Sequence, residues 1–260
     1  MNTPAALRVT YRDLVLYRRI WRANFVAAFV QPMLYLLGIG IGVGALVDRG
    51  AASADLLGGV SYFAFYSSAL LATTAMFNAS QESLWPTMDG FQWSNSYRAM
   101  VSTPIEPRDV ATGLMVYFSI RTAIGAVGVA TVLALFDDTR SWGLVAAVPA
   151  AVLCGLAFAV PIAAWTSTRT TGNSFPAILR FVIMPMFLFG GAFYPIEQLP
   201  GWLQPVAWAT PLWHGVELCR GAILGGLSTG GAALHLAVLG AYVAAGWVAC
   251  TVMFRRRLQP

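Results

Sequence analysis

Six long apolar runs, separated by short polar segments, dominate the pattern of hydrophobic and polar positions along this chain. Each run is close to the roughly 20 residues that a helix needs to cross the hydrocarbon core of a bilayer. The pattern therefore predicts an all-α polytopic membrane protein with six transmembrane helices. The runs are Ala23–Val47, Leu56–Asn78, Val110–Phe136, Trp142–Trp165, Phe175–Phe193 and Ala232–Phe254.

A shorter amphipathic segment, residues 7–22, precedes the first apolar run. Apolar side chains recur there at helical spacing, at Leu7, Tyr11 and Leu14, while five arginines occupy other positions. A helix with one apolar and one basic face lies in the plane of the membrane interface. We therefore expect residues 7–22 to form an interfacial helix ahead of the first span.

Residues 194–228, before the last run, are apolar but repeatedly interrupted by four prolines, and they carry three tryptophans. The prolines prevent one continuous helix of membrane length, and tryptophan favours the boundary between lipid and water. Irregular backbone at membrane depth must be covered by protein or line a wet cavity. The segment therefore predicts a re-entrant helical hairpin, which enters the membrane from one side and returns.

The arginines orient these elements, because positive residues concentrate in cytoplasmic loops. With the N-terminus inside, the inner segments hold eleven arginines and the outer segments three. Both termini are therefore predicted to be cytoplasmic, and the hairpin 194–228 extracytoplasmic. The one long cytoplasmic connection is 82–109, where we expect one or two short helices along the membrane surface.

The composition narrows the class of protein. The chain is 58% hydrophobic and only 10% charged, which leaves room for a single membrane domain over residues 1–260. All sixteen basic residues are arginine; without lysine there is no phosphate-binding P-loop and no Schiff-base chemistry. If ATP drives this protein, another chain binds it.

The amino-acid usage, which is rich in alanine and glycine and contains arginine as its only basic residue, suggests a GC-rich bacterial genome and hence the bacterial plasma (inner) membrane. The net charge of +5 is a topology signal rather than a sign of nucleic-acid binding.

Polar side chains inside the runs are the candidate functional residues. Ser67, Thr74, Asn78 and Gln81 fall within about 60° of one another on one helix face. They either hydrogen-bond between packed helices, as such residues do in membranes, or line a translocation path. Both interpretations stay open.

Arg121 lies near mid-depth in the third run, where a charged side chain needs a partner or a water-filled cavity. It is either half of a structural ion pair or a gate residue. His214 and Glu217, three residues apart in the hairpin, are a weak metal signal and more typical of satisfied polar contacts. The three cysteines have no metal-ligand spacing.

Several stretches resemble the permease subunits of ABC-2 type transporters. The hairpin run G-x-F-Y-P-I-E-x-L-P-x-W-L at Gly191–Leu203, followed by Pro211, Leu212, His214 and Arg220, resembles that family's most recognisable segment. LLATTAMFNASQES at 70–83 and SYRAMVSTPIEPRDVATG at 96–113 are similar to its nodulation-protein-J branch. The daunorubicin-resistance permeases are a looser match.

The resemblance implies a dimer, either a homodimer or a heterodimer with a second permease, docked on separate ATP-binding-cassette ATPase subunits. This chain would hold no cofactor of its own, since ATP and Mg would bind the partner ATPase. The segment matching the family's coupling helix comprises Ser96, Tyr97, Arg98, Ala99, Met100 and Thr103. The substrate path would be lined by Gln31, Ser67, Thr74, Asn78, Asn173, Phe181, Met184 and Phe187. The hairpin would form an outer lid with Pro195, Trp202 and Trp213.

The implied function is export of an amphiphilic or hydrophobic compound (drug, lipid or lipo-oligosaccharide) across the plasma membrane, with efflux and antibiotic resistance as one form of it. One alternative is a permease for a lipid-linked polysaccharide. A membrane-embedded lipid-modifying enzyme would need a cluster of carboxylates or histidines at one depth, and none is evident. A non-transporting membrane anchor would not need the polar face of the second run.

Overall fold

The computed structural model describes residues 4–49, 57 and 59–259, apart from the side chains of residues 20, 23–29 and 31. Within these ranges the chain is all-helical, and no strand is present. The helices are α1 (Ala5–Tyr35, continuing through Leu36–Val43 and Gly44–Val47), α2 (Tyr62–Met88, continuing through Asp89–Trp93), α3 (Ser96–Val101), α4 (Pro107–Leu133), α5 (Gly143–Thr166), α6 (Gly172–Phe189), α7 (Gln204–Ala209), α8 (Pro211–Leu224) and α9 (Thr229–Leu258).

Four of the described helices, α4, α5, α6 and α9, are long and apolar enough to cross a membrane. The end of α1, Pro32–Val47, is apolar but shorter. Helix α2 is as long as α4, but its serine, threonine, asparagine and glutamine side chains lower its hydropathy. The expected start of the second run, Leu56, lies outside the described residues. Four of the six predicted crossings thus have the required length and composition, and the full count of six stays a prediction.

The N-terminal segment differs from the expectation of a separate interfacial helix. Residues 7–22 and the start of the first apolar run form one helix, Ala5–Tyr35, and its one proline, Pro32, lies in the last turn. The helix then loosens to a π-helical segment over Leu36–Val43, where three glycines lie at alternate positions. Glycine offers little side-chain packing to hold the tighter α-helical turn, and π-helical segments are otherwise rare.

The connection expected over residues 82–109 is shorter than predicted. Helix α2 continues to Trp93, and Asn95 then reverses the chain in the left-handed conformation, at φ 49°. One short helix, α3, follows, as expected, and Pro107 starts α4 at a position where its missing N–H has no helical partner to lose. The non-helical chain is therefore confined to a few residues on either side of α3.

Helix α8, in the predicted hairpin, packs among α2, α5 and α9. Thr210 caps its start by accepting a hydrogen bond from the Trp213 N–H (3.4 Å), and Gly225 ends it at φ 82°. A Cβ added at Gly215 would collide with the side chain of Cys154 on α5. Only glycine allows this close approach, so α8 is built into the core rather than laid over it.

Candidate functional site

Helix α3 is the candidate coupling helix, and most of its surface is free. Arg98, Ala99 and Thr103 are exposed, while Ser96 and Met100 are half-buried. Tyr97 differs from the expectation, because it is only 1% exposed. Its ring packs against Phe91 (5.0 Å between centroids), so Tyr97 anchors α3 and is not available on its surface.

The ends of three other helices meet beneath α3. Phe254 of α9 packs against both Phe91 and Tyr97, at 4.8 and 6.0 Å between centroids. The guanidinium of Arg257 lies 4.3 Å from the Phe91 ring centroid and donates a hydrogen bond to the carbonyl of Ser167 at the end of α5. A displacement of α3 would therefore disturb the contacts that connect α2, α5 and α9.

The polar face of α2 changes from buried to exposed along the helix. Ser67 is fully buried, and its hydroxyl donates to carbonyls of its own helix, so it does not line an open surface in this chain. Thr74 and Asn78 are half-buried, and Gln81 is exposed. Asn78 lies beside α4, where a Cβ added at Gly125 would come within 3.2 Å of the Asn78 side-chain nitrogen.

The residues expected on α6 divide between two faces. Phe187 is 7% exposed and packs edge-on against Phe77 of α2, at 5.0 Å, and against Phe193, at 4.8 Å. It belongs to the core of the chain, contrary to the expectation of a path residue. Phe181 is 78% exposed and Met184 is 44% exposed. Asn173 is exposed at the start of α6.

The expected path residues therefore do not converge within one chain. Asn78 lies against α4, whereas Phe181 and Met184 are exposed on α6. The side chain of Gln31 lies outside the described residues. A common path through both sets would require a second permease subunit.

Arg121 has a partner that sequence analysis missed. Its guanidinium forms an ion pair with Glu82 of α2, with Nε 3.1 Å from Oε1. The Tyr117 hydroxyl donates to Glu82 Oε2 at 3.3 Å, and the guanidinium lies 3.8 Å from the ring centroid of Tyr17 in α1. We call these four residues the Arg121 cluster. It joins α1, α2 and α4, which agrees with the ion-pair interpretation of Arg121.

A cavity of about 260 Å³ adjoins this cluster. Asp13 lines it and pairs with Arg12 at 2.6 Å, but Asp13 Oδ2 has no hydrogen-bond partner. Burial raises the pKa of Asp13, the neighbouring Arg12 opposes this, and Asp89 adds to it. The remaining lining comes from the ends of α1, α2 and α4 and from Tyr97 of α3.

The expected lid residues lie in different environments. Trp202 is 76% exposed, whereas Trp213 and Pro195 are half-buried. Beside Trp213, His214 of α8 and His235 of α9 share a hydrogen bond between their Nδ1 atoms, 2.7 Å apart, and both rings are buried. We call these two residues the histidine pair. Sequence analysis separated them because the partners are 21 residues apart on different helices.

Glu217 pairs with Arg220 rather than with His214. The Arg220 guanidinium donates to Glu217 at 2.7 Å and to the carbonyl of Gly191 at 2.8 Å, and it lies 3.8 Å from the Phe65 ring centroid. The described ranges hold no group of three or more histidines, cysteines or carboxylates that would bind a metal ion. The polar contacts of the hairpin are thus structural cross-links between α8 and its neighbours.

Long apolar helices around a buried helical core place the chain in the class of helical membrane proteins. More specifically, the chain belongs to the ABC-2 type transporter family, whose model matches residues 5–224. This confirms the resemblance seen in the hairpin and α2–α4 motifs. Members of the ABC-2 type transporter family serve as the membrane subunit in transport.

The curated relatives share a single description. The chain is 30% identical to nodulation protein J of Rhizobium leguminosarum bv. viciae, over 97% of this chain and 94% of that protein. It is 29% identical to nodulation protein J of Rhizobium meliloti (strain 1021), over 98% and 94% of the two chains. No solved structure matches significantly.

Proposed function

We propose that the chain is the permease subunit of an ATP-binding-cassette exporter in the bacterial plasma membrane. It would move an amphiphilic or hydrophobic compound (drug, lipid or lipo-oligosaccharide) outward, powered by a separate ATPase subunit that binds ATP and Mg. Membership of the ABC-2 family over residues 5–224 carries this proposal. The absence of lysine from the sequence supports a separate ATPase.

The proposed topology has six spans, with both termini cytoplasmic and residues 194–228 as an outer re-entrant hairpin. The distribution of the arginines supports it. Gly201 is a suitable reporter, since a Cβ there would meet nothing within 4 Å. A cysteine at Gly201 in a cysteine-free background should react with a membrane-impermeant reagent in intact cells. Labelling only after permeabilisation would overturn the topology.

The proposed ATPase contact is the exposed surface of α3. Arg98, Ser102 and Thr103 offer a cation and two hydroxyls to a partner surface. Arg98→Glu should reduce the amount of ATPase that co-purifies with the membrane-inserted permease. Arg140→Glu, on the short turn between α4 and α5, is the matched control and should leave co-purification unchanged. An equal effect of both substitutions, or none from Arg98→Glu, would place the contact elsewhere.

The proposed substrate path runs between two permease copies. Only 17% of the apolar window of α6 is buried, and Phe181 and Met184 are exposed. This exposed apolar surface supports the proposal that another subunit covers α6. Disulfide trapping between two copies of Met184→Cys should give a cross-linked dimer in membranes. Leu153→Cys, at a half-buried position of α5 that packs against the core, serves as the control, and equal trapping of both would argue against this seam.

Transport itself is tested in proteoliposomes that hold the permease and its ATPase. ATP-dependent movement of an amphiphilic probe lipid would support export, and movement of a lipid-linked saccharide alone would favour the polysaccharide alternative. A chemically altered lipid without movement would instead indicate a membrane enzyme. ATP hydrolysis by the purified permease alone would contradict the whole proposal.

A further inference from the structure

A basic cleft lies between the start of α4 and the end of α9. It encloses about 580 Å³, and a row of α9 side chains at four-residue spacing forms one wall. We call it the α4–α9 cleft. It is lined by Glu106, Pro107, Arg108, Trp247, Thr251, Val252, Arg255 and Gln259.

Positive charge outweighs negative charge in this cleft. Arg108 and Arg255 line it, and Arg256 lines an adjoining cavity that shares Arg255. Within the described residues, none of the three forms an ion pair with a carboxylate. Glu106 is the one acidic residue in the lining, so a ligand there would meet two guanidinium groups and one carboxylate, with Arg256 in the adjoining cavity.

Trp247 fixes the inner wall of the cleft. Its Nε1 donates to Thr112 Oγ1 of α4 at 3.3 Å, and the Arg108 guanidinium lies 5.2 Å from its ring centroid. Tryptophan oriented in this way is typical of the boundary between headgroups and hydrocarbon. The contact also ties α4 to α9, so the cleft is built by two packed helices rather than by a mobile terminus.

From Val252 in the cleft wall towards the middle of the helix, α9 presents an apolar face. Val248 is 55% exposed and Val252 is 39% exposed, and only 17% of the apolar window of α9 is buried. A soluble anion would use the guanidinium groups alone. A phospholipid would also lay an acyl chain along these valines, so the combination of charge above and apolar surface below favours a lipid.

We propose that the α4–α9 cleft binds the phosphate headgroup of an anionic phospholipid from the cytoplasmic leaflet. The choice of leaflet rests on the proposed topology, whereas the binding chemistry does not. Arg108 and Arg255 hold the phosphate, and Trp247 marks the depth of the glycerol region. The bound lipid would bridge α4 and α9 beside the helices that carry α3.

The test measures thermal unfolding of the purified chain in a zwitterionic detergent. Dioctanoyl-phosphatidylglycerol should raise the melting temperature in a saturable way, and dioctanoyl-phosphatidylcholine should not. The double variant Arg108→Gln/Arg255→Gln should weaken the apparent affinity for the phosphatidylglycerol on the order of 30-fold, the factor that corresponds to roughly 1 kcal/mol for each of the two basic residues near an anionic surface.

The matched control is Arg49→Gln/Arg140→Gln, which removes the same charge from exposed positions after α1 and between α4 and α5 and should change the affinity less than about twofold. Equal losses in both double variants would reduce the effect to net charge and overturn the site. Equal stabilisation by glycerol 3-phosphate would show an anion site without lipid selectivity and would also overturn it. If the cleft variant lost the ATPase but kept its lipid response, the cleft would be a docking surface instead. None of these readings depends on transport activity, so they are separable from the proposed function.

Discussion

The Arg121 cluster and the histidine pair solve the same problem in different ways. Both bury polar side chains between helices that are otherwise apolar. In the Arg121 cluster, a guanidinium meets a carboxylate and an aromatic face, and a phenol hydroxyl donates to the same carboxylate. In the histidine pair, one imidazole must donate and the other accept, so the contact needs at least one neutral ring.

The difference predicts different responses to pH. Arginine stays charged at any physiological pH, so the ion pair with Glu82 persists wherever that carboxylate is ionised. Histidine is the side chain that ordinarily changes charge between pH 5 and 8. The Arg121 cluster therefore links α1, α2 and α4 by contacts that do not depend on histidine protonation. The histidine pair links α8 and α9 by a hydrogen bond that acid can weaken.

The largest expected effect comes from removing one partner of the ion pair. Glu82→Ala leaves the Arg121 guanidinium without its carboxylate and should destabilise the chain by about 3–5 kcal/mol. Thermal unfolding in detergent measures the effect, and Gln81→Ala, at the exposed neighbouring position, should have little. Glu82→Gln/Arg121→Met should recover part of the loss; a double variant worse than Glu82→Ala would contradict the ion-pair role.

A smaller effect is expected where α8 approaches α5. Gly215→Ala would place a methyl group against the Cys154 side chain, whose Cβ lies 2.6 Å from the added atom, and overpacking of this kind costs roughly 1–3 kcal/mol. The substitution should loosen α8 and with it the histidine pair. Gly201→Ala, in open space, is the control. Gly215→Ala/Cys154→Gly, which removes both the Cβ and the Sγ of Cys154, should recover part of the loss, and failure to do so would mean that another contact limits the fit.

The pH response of the histidine pair should be the smallest of the three effects. Burial lowers the pKa of His214, and the neighbouring His235 lowers it further. Because the folded-state pKa lies below the unfolded value, the contribution is complete above about pH 6.5 and is lost as the pH falls through the folded-state pKa. We expect a loss of about 1–2 kcal/mol, the scale of one buried hydrogen bond.

Few other charged groups can mask this response. Helices α5 and α7 contain no charged residue, and α2 carries only two, Glu82 in the Arg121 cluster and Asp89 in its last turns. On α8, the carboxylate of Glu217 forms an ion pair with Arg220. Melting temperatures of the wild type and of His235→Phe, compared between pH 7.5 and 5, should show the acid sensitivity only in the wild type. The same sensitivity in both proteins would assign it to another group.

Much of the helical architecture could be predicted from the sequence, since hydropathy and helix-ending residues are local signals. Pro107 and Pro211 begin α4 and α8 as their chemistry requires, and α3 forms within the predicted connection. The continuation of α2 to Trp93 could not be predicted in the same way. Its last turns carry Glu82 and Asp89, and polar residues resemble a loop when hydropathy is the only criterion.

The candidate site was predicted less completely. The sequence motifs predict functional surfaces that include Tyr97, Ser67 and Phe187. In the structure these three side chains lie in the core. A helical period shows which residues share a face, but it does not show which neighbour covers that face. In a membrane protein the problem is sharper, because lipid-facing and core-facing residues are both apolar.

The sequence by itself determined the helical class, the family and the lack of a lysine-based phosphate site, because each follows from local composition or motif. The tertiary structure alone decided the partners of Arg121 and His214, which lie 39 and 21 residues away in the chain. Those pairings depend on the rotation of each helix about its axis and on glycines that allow close approach. Both properties arise only when the helices pack together.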